Sequence, residues 1–178
     1  ITLIKSIVKV AIQMENWIEL STIEYKEVWD RIYEEFTFEP SISKFPSFKV
    51  PNPFITYDVS PYLNWSGDSD TYDEVYNDLE DKSLLIFQEL TQKNEYMYAL
   101  DWQHPGYWIN PRMEFPKSEF DEWTIPIFPN GDYYFFIHKN FEWGLLGHPW
   151  EETITIFGKE LIKGFEKHQP RMFQKILR

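Results

Sequence analysis

The chain has 178 residues, 43% hydrophobic and 19% aromatic, with 17 basic against 29 acidic side chains and a formal charge of −12. That length suits one domain with a real core, and so much apolar surface offsets the entropy of ordering the backbone, which excludes a disordered chain. The negative charge disfavours nucleic-acid backbones and anionic membrane surfaces, and the absence of cysteine excludes disulfides, thiol catalysis and cysteine-bound metal.

Residues 1–13, ITLIKSIVKVAIQ, differ in character from the rest of the chain: two lysines and no acid. The segment is too short to span a bilayer and no small-residue cleavage site comes after it. Lys9-Val10-Ala11 can be back-translated into a stretch resembling a bacterial ribosome-binding site ahead of Met14. Residues 1–13 are therefore expected to be a leader outside the fold, and residues 14–178 a single domain.

Ser21 to Glu24 reads as a capping box, and Tyr25, Val28, Trp29, Ile32 and Phe36 recur at helical spacing, predicting a helix over about Thr22 to Glu35. Pro40 to Pro53 is expected to run extended over the surface. Phe54 to Val59 reads as a strand and Trp65 to Asp68 as a loop. Thr71 to Glu74 reads as a second capping box, with Tyr72, Val75, Tyr76, Leu79, Phe87 and Leu90 marking a long helix to about Gln92. Tyr96 to Gln103 alternates as a strand, placing Tyr98, Leu100 and Trp102 on one face and Met97, Ala99 and Asp101 on the other. Tyr107 to Asn110 is expected to pair back onto it. After an irregular stretch, Thr124 to Phe128 reads as a short strand and Pro129 to Asp132 as a turn. Strands are expected near Tyr133 to His138, Glu142 to Leu146 and Thr153 to Phe157, and a helix from Lys159 to His168 closes the chain.

Two long helices in the first half and strands concentrated in the second predict an α+β fold, a mostly antiparallel sheet with helices packed on one face. Neither of the glycine-rich phosphate-binding patterns is present, so nucleotide binding by those routes is unsupported. The chemistry gathers at two similar clusters, Asp101-Trp102-Gln103-His104-Pro105 and Gly147-His148-Pro149-Trp150-Glu151-Glu152. If the strand ends meet, Asp101, His104, His148 and Glu151 converge as an acid–base or metal site requires. The spacings are short and each histidine precedes a proline in a turn, so an internal network that satisfies buried polar groups is the favoured reading. A partner-binding spot is the second, with Trp102, Trp150, Glu152, Asp132 and Tyr134 as its residues. No metal or cofactor is expected, and no serine stands in a nucleophile elbow.

The runs Asp101-Trp102-Gln103-His104, Gly131-Asp132-Tyr133-Tyr134, Gly144-x-x-Gly147-His148-Pro149-Trp150-Glu151 and Gly158-Lys159-Glu160-Leu161 resemble a bacterial family known only as a domain of unknown function. The resemblance covers about Trp17 to Phe165. It implies the boundaries of the fold and the weight of the two clusters, and it carries no reaction. In general plan the chain is also similar to bacterial immunity proteins that neutralise toxins. The expectation is a cytoplasmic, non-catalytic binding protein for a basic protein partner, of the immunity or antitoxin kind. The alternative is a small hydrolase using the Asp/His/Glu cluster. A neighbouring toxin-like gene favours the first and a deep polar pocket joining both turns favours the second.

Overall fold

Ser21 caps the first helix as the sequence predicts: its hydroxyl accepts from Glu24 N–H, and the Glu24 carboxylate accepts from Ser21 N–H at 2.8 Å. The computed structural model describes residues 16–178. The expected leader, residues 1–13, lies outside the described residues. The elements in chain order are β1 (Ile18–Glu19), α1 (Thr22–Glu35), β2 (Phe54–Asp58), α2 (Ser60–Leu63), α3 (Ser69–Leu90), β3 (Met97–Asp101), β4 (Tyr107–Ile109), β5 (Tyr134–His138), β6 (Gly144–His148), β7 (Thr153–Phe157), α4 (Lys159–Lys167) and β8 (Lys175–Ile176).

All strands join one eight-stranded antiparallel sheet in the order β1-β4-β3-β5-β6-β7-β2-β8. The α+β class therefore stands. Its centre, β5-β6-β7, is buried on both faces, so every residue of those three strands is inside. Successive residues of a strand point to opposite faces, and the core splits accordingly. On one face Met97, Ala99, Phe136, Leu145, Ile154 and Ile156 meet Leu79, Ile86 and Phe87 of α3 and Leu161 and Phe165 of α4. On the other, Leu100, Phe135, Ile137, Leu146 and Phe157 meet Val28, Trp29 and Ile32 of α1, with Phe36, Phe38 and Phe48 beyond it.

This placement corrects the expected single helical face. α1 lies opposite α3 and α4 because both sheet faces are apolar and each needs a cover. The α1 side is closed by ring packing, with Trp29 5.8 Å from Phe135 and Phe36 5.3 Å from Phe157.

Three local expectations also change. Asp68, not Thr71, caps α3, its carboxylate accepting from both the amide and hydroxyl of Thr71 at 2.7 and 2.9 Å. Thr124 to Phe128 is not a strand: Ile125, Ile127 and Phe128 bury their side chains over the α3-side core without joining a ladder. The sixth strand runs to His148, so the first residues of the expected polar turn belong to the sheet.

Candidate functional site

Both His-Pro clusters lie at the same end of the sheet. Asp101 ends β3 opposite Tyr134 of β5, and Tyr134 faces Gly147 of β6. The strand alternation then separates them. Asp101 shares the parity of Met97 and Ala99 and belongs to the α3 side, whereas His148 is next after Gly147 and falls on the α1 side beside Phe48 and Tyr133. The sheet stands between the two histidines. The four residues Asp101, His104, His148 and Glu151 do not form one constellation.

His148 is fully buried. Its Nδ1 accepts from the backbone N–H of Glu151 at 3.1 Å and of Trp150 at 3.3 Å. Those two donors leave the ring proton on Nε2, which donates to Ser47 Oγ at 2.8 Å. Ser47 Oγ is also 2.8 Å from the Tyr133 hydroxyl, which in turn accepts from Ser41 N–H at 3.1 Å. Phe45 covers the imidazole edge-on at 5.0 Å. Burial, the first cause, lowers the His148 pKa to about 4; Arg178 adds to this and Glu151 opposes it. The imidazole is thus a neutral cross-brace between the β6–β7 turn and the loop around Ser47. A serine beside a histidine invites comparison with a nucleophile and its base, but this Nε2 already carries a proton and cannot take one from Ser47.

Glu151 faces elsewhere. Its side chain is 7% exposed, receives a bidentate pair from Arg178 at 2.6 and 2.9 Å, and accepts from Thr153 Oγ1 at 3.1 Å. Glu152 takes a left-handed backbone, φ +60°, and accepts from Asn64 Nδ2 at 2.7 Å.

On the α3 side Asp101, His104 and Asp132 do come together. His104 Nδ1 lies 3.0 Å from Asp101 Oδ1 and 3.5 Å from Asp132 Oδ2. Asp132 is fixed by accepting from Tyr133 N–H at 2.8 Å. The hydrogen bond to Asp101 raises the His104 pKa, and partial burial raises that of Asp101 against the pull of His104. One ligand atom from each of the three falls within 4.8 Å of the others, a set that can accept a divalent cation at an open surface. The same contacts are accounted for by a protonated imidazole held between two carboxylates.

Trp102 and Trp150 converge on the α1 side. With Pro40, Ser41 and Ile42 they line a groove of about 340 Å³, and the ring of Tyr133 lies 5.7 Å from Trp102 and 5.4 Å from Trp150. Trp102 is anchored by donating from Nε1 to the Tyr33 hydroxyl at 2.9 Å. Trp150 is 40% exposed and Ile42 71%. Tyr134 does not join them; it points to the α3 side and lines a separate cavity with Tyr72 and Tyr76. Ser47 and Tyr133, the partners of His148, were invisible as such in the sequence. Ser47 stands 101 residues from His148, and only the fold brings it there.

Among the described residues no helix is long and apolar enough to cross a membrane. No solved structure matches the chain. It is 41% identical over 161 residues to the Bacillus subtilis (strain 168) protein described as "Uncharacterized protein YxiI", an alignment covering 90% of this chain and 99% of that one. The family model described as "Protein of unknown function (DUF2716)" matches residues 19–162, close to the span over which the sequence motifs suggested a family of unknown function. With most of its length covered by that model, the chain belongs to the DUF2716 family.

Proposed function

We propose that this is a cytoplasmic, non-catalytic binding protein that docks a basic protein partner, in the manner of an immunity or antitoxin protein. The observation that carries the reading is the exposed aromatic groove at the His-Pro end of the sheet. Trp150 and Ile42, which line it, are exposed, in a chain whose other aromatics mostly pack inside. Tryptophan and tyrosine around a concave surface are the usual anchors of protein interfaces. The charge of −12 selects a basic partner and speeds its approach. Ion-paired Glu151 and bridging His148 hold the turn that presents Trp150.

The test is a photo-crosslinking residue placed at position 150 in the source organism, with position 163 on α4 as the control. The expected result is one basic protein captured at 150 and not at 163. Once purified, it should bind with an affinity that falls with salt and that Trp150→Ala weakens by about 2 kcal/mol or more. No capture above the control, or an acidic partner, refutes the proposal. The hydrolase alternative rests on Asp101, His104 and Asp132 alone. Stoichiometric zinc or manganese that is lost in His104→Ala would favour it.

A further inference from the structure

A second concavity lies on the α3 side, away from the tryptophan groove. It encloses about 530 Å³ between α3 and the segment from Phe120 to Tyr134, a size usual for small-ligand sites. Its aromatic walls are Tyr72, Tyr76, Phe120 and Tyr134, and its charged groups are Asp73, Asp121 and Glu122. Among the described residues no lysine, arginine or histidine lines it. Among the described residues Asp73 and Glu122 take part in no ion pair, and Asp121 meets only Lys117, at 3.6 Å. The aromatic lining continues past Tyr72 into an adjoining cleft of about 330 Å³ walled by Trp65 and Tyr62, whose rings stack at 6.2 Å.

We propose that this cavity binds a guanidinium group, with the tyrosine faces stacking on the cation and the carboxylates of Asp73 and Glu122 accepting its N–H donors. Every charged group in the lining is an acceptor, and tyrosine faces present the negative side of their quadrupole. A ligand matching both is cationic, rich in donors and flat, which describes guanidinium more closely than the compact, strongly hydrated ammonium of lysine. Of the lining carboxylates, Glu122 adds a smaller push to two of the phenols, behind burial and behind Asp101 and Asp132 at Tyr134 and Glu80 at Tyr76. Burial first, and then carboxylates including Glu122, push the Tyr134 pKa up to about 12 and the Tyr76 pKa higher still. The group can belong to a free guanidino compound or to an arginine of a protein. The proposal does not depend on the tryptophan groove.

Agmatine is titrated into the full chain and monitored by amide and tyrosine ring resonances. A parallel titration uses a short, blocked arginine peptide, and sodium chloride at equal ionic strength is the control. Saturable shifts at Tyr72, Tyr76, Asn77, Glu122 and Tyr134, absent with salt, are expected. The double variant Asp73→Asn/Glu122→Gln should weaken binding about tenfold or more with an unchanged thermal midpoint. Saturation by agmatine identifies a small-molecule site, and saturation by the peptide alone identifies a protein arginine. Equal shifts from sodium chloride, no saturation with either probe, or undiminished binding by the double variant overturns the proposal. Trp150→Ala should leave agmatine binding intact, so failure of the docking surface and failure of this cavity are read separately.

Discussion

Acid should destabilise this protein through His148 in particular. Its ordinary value is 6.5 and burial lowers it to about 4 in the fold. Between those two pH values the unfolded chain binds a proton that the native imidazole refuses. Stability therefore falls as pH drops through this window, and the contribution is level above 6.5 and again below about 4. At about 1.4 kcal/mol per pH unit the loss amounts to about 3 kcal/mol. The structure explains the size of the effect. Protonation would put a second hydrogen on Nδ1, where two backbone N–H groups already point, inside a ring of Phe45, Phe48 and Tyr133. The measurement is urea unfolding by tryptophan fluorescence from about pH 7.5 to about 3.5, on the wild type and on His148→Gln. Carboxylates titrate in both proteins, so the difference curve isolates this residue. A flat difference across the window refutes the reasoning, as does a His148 imidazole resonance, assigned by its loss in His148→Gln, that titrates in the folded protein at the ordinary histidine value.

Trp29→Ala and Phe87→Ala should each cost about 3–5 kcal/mol, since both rings are buried against the sheet. A denaturant midpoint that hardly moves would show the packing to be wrong. Gly158→Ala should destabilise by about 1–3 kcal/mol from its backbone alone, at φ +94°. The new Cβ would also stand 2.6 Å from Glu142 O, so the need for glycine at this position is read out by a lower thermal midpoint. Arg178→Ala leaves the buried carboxylate of Glu151 with Thr153 only, and should cost about 1–3 kcal/mol in the same assay. Ser21→Ala should cost about 1 kcal/mol by removing the cap of α1, checked by urea midpoint.

The regular parts of the fold were legible because they repeat a period. β7 runs over the residues that its alternation marks, and α1 begins and ends where its cap and aromatic stripe place it. Thr124 to Phe128 misled because its apolar residues bury without a ladder, and alternation reports burial, not pairing. β1 and β8 are two residues each, too short to leave a pattern. At the candidate site the residue types and the end of the sheet were readable. Which histidine faces which side was not, since parity inside one strand says nothing of its register with the next. Asp132 and His104 meet because β5 lies beside β3. Ser47 meets His148 because an irregular loop crosses the α1 face.

The sheet order sets a timetable for the nascent chain. β5, β6 and β7 form a meander, with β3 beside β5 and β4 beyond β3, whereas β2 pairs with β7, with Thr56 and Thr155, 99 residues apart, bonded at 2.8 Å. The ribosome therefore releases α1 and β2 long before the strands they cover or flank exist. Until the meander emerges, Trp29, Ile32 and Phe36 have no sheet to bury against. Long-range closure of this kind is slow, and apolar surface left waiting is where chains associate wrongly. α1 carries Glu24, Glu27, Asp30, Glu34 and Glu35 against Lys26 and Arg31, and that net negative charge keeps the early segment mutually repulsive between copies during the wait.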